Sequence, residues 1–345
     1  MISTTPDRHS SRLARRSLIV GSCAVGLGAV LAACSSGNDS SPDSAATSSS
    51  AATAQAATAP QSTSQAPTAV PELDELTALA ASFTQSSYED TDTGLSLPFN
   101  VFLPEGYDEN ASYPLVHYIA DSSLVGSDVT APLSQYGALI WAHDVTQSVT
   151  PAIVVVPCYP EIVLDDHSGY TTTDWVGVTE RFVPWLQEQY AVDPARVYGT
   201  GQSMGAMIHL LLAATQPTLF TACLFVDGQW DVSALGGLAQ ASWAYHVAGG
   251  DDRALTGQDE VRSMLDDAGA AYAQAAEEWD ATASAEELEA AVAELVAQGR
   301  PRLLSSFVAG TVLEANPAAS MEHMASFEPA YKLTGLRTWM LSQGA

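Results

Sequence analysis

A single serine marks the point where a β-prone run changes into a helical pattern, in the stretch VYGTGQSMGAMIHLLLA from Val197 to Ala213. The residues before Ser203 favour a strand, and Met204, Met207 and Leu211 recur after it at helical spacing. Glycines stand two positions before and two positions after the serine. This G-x-S-x-G pattern is typical of a tight turn that lifts a serine hydroxyl above the end of a parallel sheet. The stretch therefore predicts a parallel sheet with an exposed serine at its edge.

Apolar runs of strand length alternate with helical patterns after about residue 71. The runs are LPFNVFL, YPLVHYIA, PAIVVVPCY, ARVYGTG, TACLFVDG, SWAYHVAGG and SSFVAGTVL. Near-continuous apolar strands separated by helices indicate an α/β fold, in which helices cover both faces of a mostly parallel sheet. Two earlier runs, Ser82 to Tyr88 and Leu95 to Leu103, flank a turn signal and predict an antiparallel hairpin at one edge. Ser284 and Glu287 predict a capping box at the start of a further helix.

Residues 1–33 are predicted to form a signal peptide. Arg15 and Arg16 resemble a twin-arginine start, and the apolar run from Leu18 to Ala33 is too short for a comfortable membrane span. The sequence Leu-Ala-Ala-Cys ending at Cys34 resembles the bacterial lipobox, so cleavage before Cys34 would leave a lipid-modified cysteine. An uncleaved signal anchor is the alternative. We expect an extracytoplasmic protein that contacts the cell membrane through its N-terminal lipid only.

Residues 34–70 differ sharply in composition from the rest of the chain. They are mostly serine, alanine, threonine, glutamine and proline, a mixture that buries too little apolar surface to offset its ordering entropy. This segment is predicted to be a disordered tether. Residues 71–345 show no internal repeat and no second linker, so they are predicted to form one domain.

The balance of charge limits the possible partners. The chain has 12 lysines and arginines against 40 aspartates and glutamates, a formal net charge of −28. Such a surface repels nucleic acid, anionic lipid and acidic substrates, which leaves neutral or cationic small molecules. The sequence contains no metal-ligand cluster, P-loop or dinucleotide fingerprint. We therefore expect no cofactor and no metal.

A serine hydroxyl is a weak nucleophile until an imidazole takes its proton and a carboxylate fixes the tautomer of that imidazole. In folds with this serine turn the chain order is Ser, then Asp or Glu, then His. Of the seven histidines, only His323 follows all of the candidate acids, in a stretch predicted to be a loop. His323 is therefore the expected base for Ser203.

The acid is expected at the carboxyl end of a strand between the serine and the histidine. Asp251 and Asp252 follow one strand and a Gly-Gly turn, and Asp227 and Asp231 follow the strand before it. The first pair is favoured because the strand two places beyond the nucleophile is the usual position of the acid.

Two backbone N–H groups are needed to stabilise a developing oxyanion. The N–H of Met204 is one, because it follows the serine at the start of a helix. The second is expected from the loop after YPLVHYI, from Ser122 or, less favourably, from Asp121.

The order of these motifs resembles that of secreted α/β-hydrolase esterases of the polyhydroxybutyrate-depolymerase-like and prolyl-oligopeptidase-like branch. The resemblance runs over roughly residues 84–341 and includes LPEGYDENASYPLVHYIADSSLVG, VYGTGQSMG, FVDGQWD, GGDDRA and EHMASFEPAY. It implies an eight-stranded sheet and a Ser-Asp-His triad that hydrolyses carboxylic esters, usually without a metal. A Gly-Asp-x-Lys-Ala run in several relatives matches Gly250–Ala254 and favours Asp251, whereas a strand-His-Gly-x-x-Asp alignment favours Asp252. The oxyanion loop departs from the His-Gly of many relatives, since it reads Ala-Asp-Ser-Ser.

The strand order of that resemblance also bears on Cys158 and Cys223. It would separate their strands by two others, a gap of about 14 Å at ~4.8 Å per strand. A disulfide requires Cα atoms within about 7 Å, so free thiols are expected.

The leading hypothesis is a lipid-anchored serine esterase, in which Trp230, Tyr159 and Tyr170 line an acyl or aromatic pocket. The substrate would be a small-molecule or polymeric ester. One alternative is a peptidase of the prolyl-oligopeptidase-like type, although the chain is too short to carry a propeller or large cap. Another is a solute-binding lipoprotein that keeps the scaffold without turnover.

Replacement of the lipobox cysteine tests the predicted anchor. Wild-type protein should partition with membranes, and Cys34→Ala should be released or left unprocessed, because the acceptor of the lipid is gone. Fractionation of cells that express each form measures this. A Cys34→Ala protein that is still cleaved and still sediments with membranes would contradict the lipoprotein prediction.

Overall fold

Strands and helices alternate along the part of the chain that the computed structural model describes, residues 70–167 and 169–345. The predicted signal peptide, Cys34 and all of the tether except Val70 lie outside these residues. The strands are β1 (Thr84–Glu89), β2 (Ser96–Phe102), β3 (Tyr113–Ile119), β4 (Ile153–Pro157), β5 (Leu164–Asp165), β6 (Thr171–Thr172), β7 (Val192–Gln202), β8 (Ala222–Val226), β9 (Trp243–Ala248), β10 (Ala273–Gln274) and β11 (Arg302–Phe307).

The α-helices range from one turn to 17 residues. They are α1 (Leu73–Leu76), α2 (Tyr136–Leu139), α3 (Asp144–Gln147), α4 (Trp175–Gln189), α5 (Met204–Thr215), α6 (Asp252–Ala268), α7 (Ala285–Ala297), α8 (Thr311–Ala315), α9 (Glu322–Ala325), α10 (Phe327–Lys332) and α11 (Thr334–Ser342). No helix among the described residues combines the length and apolar character that a membrane span needs.

The main sheet has the strand order β1-β2-β4-β3-β7-β8-β9-β11-β10. Strand β2 pairs antiparallel with β1 and with β4, and all pairs from β4 to β10 are parallel. The predicted hairpin at one edge is therefore confirmed. The sheet has nine strands instead of the expected eight because the two-residue strand β10 extends it beside β11. Strands β5 and β6 form a separate antiparallel pair.

Strand β4 shows how the apolar runs build a core on each face of the sheet. Every residue of Ile153–Pro157 is buried. Successive side chains of a strand point to opposite faces. Accordingly Ile153 and Val155 belong to one hydrophobic cluster, whereas Val154 and Val156 belong to the other. A strand covered by helices on both faces needs this continuous apolar sequence.

Two smaller predictions are also confirmed. The Ser284 side chain accepts from the Glu287 amide while the Glu287 carboxylate accepts from Ser284 N–H, which is the capping box at the start of α7. Cys158 follows β4 and Cys223 lies in β8, so β3 and β7 separate them, and both are buried free thiols.

The serine turn depends on glycines where α5 approaches the sheet. A Cβ atom at Gly205 would lie 2.0 Å from the carbonyl oxygen of Ile119, and one at Gly201 would lie 2.6 Å from the same oxygen. Because any side chain at either position would collide with backbone, only glycine allows β3, β7 and α5 to pack this closely.

Replacement of Gly205 by alanine tests this crowding. We expect the free energy of unfolding to fall by about 1–3 kcal/mol, the usual cost of overpacking, because the clash is with backbone that cannot move aside. Urea unfolding measures the change. Gly236→Ala is the matched control, since a Cβ there would meet nothing within 4 Å. Equal stability of the two variants would contradict the prediction.

Candidate active site

Ser203 occupies the single residue between β7 and α5. Its φ is 51°, in the left-handed region that non-glycine residues rarely adopt. Its N–H donates to the carbonyl of Val226 in the next strand, and its own carbonyl accepts from Met207 N–H in α5. These bonds fix the turn, and the serine lines a cavity at the carboxyl edge of the sheet.

The structure places three of the sequence-predicted side chains in one hydrogen-bonded row. His323 Nε2 lies 2.8 Å from Ser203 Oγ, and His323 Nδ1 lies 2.5 Å from Asp251 Oδ2. An ionised carboxylate only accepts, so Nδ1 carries the proton and Nε2 is left to accept from the serine hydroxyl. This is the tautomer that a general base for Ser203 requires.

Asp251 is held in this place by the start of α6. Its Oδ1 accepts from the backbone N–H groups of Arg253 and Ala254, as the N-cap of that helix. Asp252 is the first residue of α6. Asp231 is engaged elsewhere, because it caps a short helix through Ser233 N–H. Asp227 lies nearer to the site, with Oδ2 at 3.7 Å from His323 Nδ1.

His323 lies in the short helix α9 and not in the expected loop. The adjacent residue Glu322, which the sequence analysis did not single out, fixes this helix to two parts of the sheet edge. Its carboxylate accepts from Gly250 N–H at 2.9 Å and from Gly310 N–H at 2.7 Å. A Cβ at Gly250 would lie 2.1 Å from the Glu322 carboxylate, so the glycine before the acid is needed for this contact.

The electrostatics of the row favour an ion pair when the imidazole is protonated. Burial opposes the charge on His323, but the Asp251 hydrogen bond and the charges of Asp227 and Asp251 outweigh it, and the pKa of His323 is raised. Burial likewise opposes the charge on Asp251, yet its bond to His323 and its two amide donors leave the pKa of Asp251 lowered. His323 is thus made more basic and Asp251 stays ionised.

The oxyanion loop follows β3 and is held by side-chain amides. Asp121 accepts from Ser123 N–H at 2.8 Å, from Gln202 Nε2 at 3.1 Å and from Gln135 Nε2. Tyr118 O–H contacts the carbonyl oxygens of both glutamines. The sequence predicts Asp121 only as a backbone donor, whereas in the structure its buried carboxylate organises this loop.

The two expected oxyanion donors lie at helix starts. Ser122 begins a 3₁₀ turn and Met204 begins α5. The first N–H groups of a helix have no acceptor within it, so both are available to a ligand. Ser122, Met204 and Ser203 line the same cavity.

The cavity has a volume of about 750 Å³ and combines apolar and acidic walls. Its apolar side chains include Leu164, Met204 and Met207, with Ile162, Met321 and Met324 exposed around it; its charged side chains are Asp121, Asp165, Asp166, Asp251 and Arg253. The Arg253 guanidinium lies 2.6 Å from Asp166, which also accepts from Gln229. The walls therefore carry an excess of carboxylates.

The three aromatic residues predicted to line a pocket, Trp230, Tyr159 and Tyr170, are not among the residues that line this cavity. Tyr159 is buried, and its hydroxyl bonds Thr179 at 2.7 Å. Trp230 is also buried, with the half-exposed ring of Tyr170 packed edge-on against it at 5.2 Å. A strand-end position in the sequence does not reveal toward which face such a ring turns.

Two groups of described residues bring ligand-type atoms within 4.8 Å of one another: Asp165, Asp166 and His167, and Asp227, Asp251 and His323. The protein already engages their oxygens and nitrogens. Asp166 bonds Arg253 and Gln229, and the second group is hydrogen-bonded internally and to Ser203. Neither group supports a proposal of a metal centre.

Comparisons with known protein sequences match this chain to esterases. A family model described as "Putative esterase" matches residues 91–298, a span that includes Ser203 and Asp251. Acetylxylan esterase A of Emericella nidulans is 33% identical over 96 aligned positions, which cover 24% of this chain and 32% of that protein. The match thus spans about a third of the length of this curated relative.

Comparisons with solved structures concern the fold. A thermostable esterase superimposes with a TM-score of 0.61 at 19% identity, over 77% of this chain and 64% of the other. An S-formylglutathione hydrolase from Agrobacterium tumefaciens gives a TM-score of 0.47 at 12% identity, over 76% and 96%. The first likeness, together with the mostly parallel sheet, confirms the predicted α/β-hydrolase fold.

The hydrogen bond between Asp251 and His323 predicts unequal effects of amide substitutions. Asp251→Asn should lower kcat by about 10⁴, because an amide favours the wrong imidazole tautomer. Asp252→Asn is the neighbouring control and should cost far less. Steady-state hydrolysis of p-nitrophenyl butyrate measures both. A larger loss in Asp252→Asn would assign the acid to that residue.

The raised pKa of His323 predicts the pH dependence of activity. His323 must be neutral to accept the serine proton, so kcat/KM should fall as the pH drops through a pKa above the usual value of about 6.5. Measuring kcat/KM with an uncharged ester at about ten pH values between pH 5 and pH 9 defines the acid limb of the profile. A limb centred at or below pH 6.5 would contradict the prediction.

Proposed function

This chain belongs to the esterase family whose model matches residues 91–298, and from that premise we propose that it hydrolyses carboxylic esters with Ser203, His323 and Asp251. The observation that carries the proposal is the hydrogen-bonded row from Asp251 through His323 to Ser203, which opens on a cavity. His323 lies beyond the matched span, so its role is proposed from its place in the chain order and from its geometry.

The chemistry follows from the atoms that face the cavity. Ser203 Oγ attacks the ester carbonyl carbon while its proton passes to His323 Nε2. The N–H groups of Met204 and Ser122 stabilise the oxyanion of the tetrahedral intermediate. His323 then gives the proton to the leaving alcohol, and a water molecule, activated by the same imidazole, releases the acid and restores the serine. Asp251 stabilises the imidazolium throughout.

The charges of the cavity indicate which esters fit. Carboxylates outnumber the single guanidinium, and Arg253 is already paired with Asp166. An anionic substrate would meet repulsion, whereas a neutral ester with an apolar acyl group can contact Met204, Met207 and Leu164. We therefore propose neutral carboxylic esters, small or polymeric, as the substrate class.

We further propose that the enzyme works outside the cytoplasm as a lipoprotein anchored through Cys34. The lipobox-like sequence and the tether composition of residues 34–70 support this part of the proposal. A tether of that length would let the catalytic domain act at a distance from the membrane on a substrate in solution or in a matrix. The resemblance to polyhydroxybutyrate-depolymerase-like esterases fits an extracytoplasmic substrate.

Replacement of the nucleophile tests the proposed function. Ser203→Ala should fold normally and lose several orders of magnitude in p-nitrophenyl butyrate hydrolysis, since oxyanion contacts and binding alone give only about 10³–10⁴ over water. Ser233→Ala, remote in sequence and on an exposed turn, is the matched control.

A fluorophosphonate probe identifies the nucleophile independently. It should label the wild type at Ser203 and leave Ser203→Ala unlabelled. Labelling at another residue, or full activity of Ser203→Ala, would overturn the assignment. A wild type that binds esters without turnover would favour a solute-binding role, and preferential cleavage of short peptides would favour a peptidase.

A further inference from the structure

A second carboxyl group lies beside the His323 ring and takes no part in the mechanism above. Asp227 Oδ2 is 3.7 Å from His323 Nδ1, and the Asp227 side chain is completely buried. The residue follows β8 with φ 49°, a left-handed conformation that aspartate and asparagine adopt more readily than most side chains. Because Asp227 follows β8, one strand before the strand that precedes Asp251, the sequence offers it as an alternative acid. In the structure it is not in hydrogen-bond contact with the imidazole.

The hydrogen bonds around Asp227 indicate where a proton resides. Asp227 Oδ1 accepts from Ala248 N–H at 2.8 Å. Asp227 Oδ2 is 2.5 Å from Ser326 Oγ, and the same hydroxyl is 3.0 Å from the carbonyl oxygen of His323. A serine hydroxyl has one proton and cannot donate to both oxygens at once. Both contacts become hydrogen bonds if Asp227 is protonated and donates to Ser326 Oγ, which in turn donates to the His323 carbonyl.

The surrounding charges agree with a protonated carboxyl. The ionisable groups that face Asp227 are His323 from α9, Asp251 from the loop after β9, and Tyr245 from β9 itself. Burial raises the pKa of Asp227 to about 7, with a further contribution from Asp251, against the opposing effects of His323 and the hydrogen bonds. Two neighbouring carboxyl groups, one of them fully buried, cannot both ionise cheaply while the imidazole is neutral.

We propose that Asp227 is a positioning residue that holds the His323 backbone through Ser326 and carries a proton while the His323 imidazole is neutral. The inference rests on the proposed function, because it assigns Asp227 a part in keeping the base in reach of Ser203. Asp227 and His323 titrate as a coupled pair, since protonation of the imidazole favours loss of the Asp227 proton to solvent. Asp251 remains the group that orients the ring.

Asparagine at position 227 imitates the protonated acid. Its oxygen accepts from Ala248 N–H, its amide donates to Ser326 Oγ, it is neutral at every pH, and it tolerates φ 49°. We expect Asp227→Asn to lose less than about tenfold in kcat/KM, and Asp227→Ala and Ser326→Ala to lose about 10²-fold, because either one releases the His323 backbone. An Asp227→Asn enzyme as slow as Asp227→Ala would overturn the proposal.

A pH titration separates this role from a merely structural one. Without a carboxylate at position 227, the proton on His323 is held less strongly, so the acid limb of kcat/KM should move to lower pH by about one unit in Asp227→Asn. Asp231→Asn removes the same charge from the same loop and should leave the limb in place. An unchanged limb in Asp227→Asn would overturn the proposal.

A nuclear magnetic resonance titration of the His323 ring gives the same answer without any substrate. The His323 signal is assigned by its absence from His323→Gln, and its pKa should fall by about one unit in Asp227→Asn. This measurement does not depend on turnover. Failure of the proposed function would appear as an inactive, unlabelled wild type, whereas failure of the present inference would appear as an unshifted His323 pKa. If Asp227→Ala does not fold, the His323 pKa of Asp227→Asn compared with that of the wild type still tests the proposal.

Discussion

The carbonyl oxygen of Ile119 lies against Gly205, and the geometry of the site depends on this contact. With no side chain at Gly205, α5 begins directly over the end of β3, and the single residue left between β7 and α5 is Ser203 in its left-handed conformation. The loop that carries Ser122 follows Ile119 directly, so the same contact places the start of this loop against α5. The positions of Ser203 and of the Met204 N–H are thereby set by backbone packing, whereas the loop that carries Ser122 is also held by the side chains of Asp121, Gln135 and Gln202.

Parallel pairing explains why distant segments meet at this edge. The carboxyl ends of β7, β9 and β11 all point the same way, and they deliver Ser203, Asp251 and the segment that carries His323. Glu322 strengthens the arrangement, because its two carboxylate oxygens bond the loops after β9 and after β11. Helix α9 is therefore anchored on both sides, which keeps His323 in register with Ser203 and Asp251.

The chain has 40 acidic residues against 12 lysines and arginines, and most carboxyl groups of the site are bonded by groups other than a lysine or an arginine. The site uses other donors. Asp121 accepts from two glutamine amides, and Asp251 accepts from helix-start N–H groups and from His323. Asp227 accepts from a backbone N–H and shares a hydrogen bond with Ser326. Asp166 is paired with Arg253. Neutral donors allow several carboxylates in one small region, and they leave the charge of the imidazolium to be stabilised by Asp251.

The sequence by itself determined the sheet with its edge hairpin, the serine turn, the capping box of α7 and the isolation of the two thiols. The first three features follow from residue spacing, since alternation, helical periodicity and turn residues act over a few positions. The separation of the thiols is what the strand order of the resembled hydrolases implies. The sequence also limited the candidates for the acid to four aspartates and the candidates for the base to His323. Only the tertiary structure decided that Asp251 contacts His323, that α9 replaces a loop, that Glu322, Gln202 and Asp227 support the site, and that Trp230 and Tyr159 pack away from the cavity. Asp251 and Ser203 lie 72 and 120 residues from His323, and the direction of a side chain at such separations is set by packing of the whole sheet, which no local pattern records.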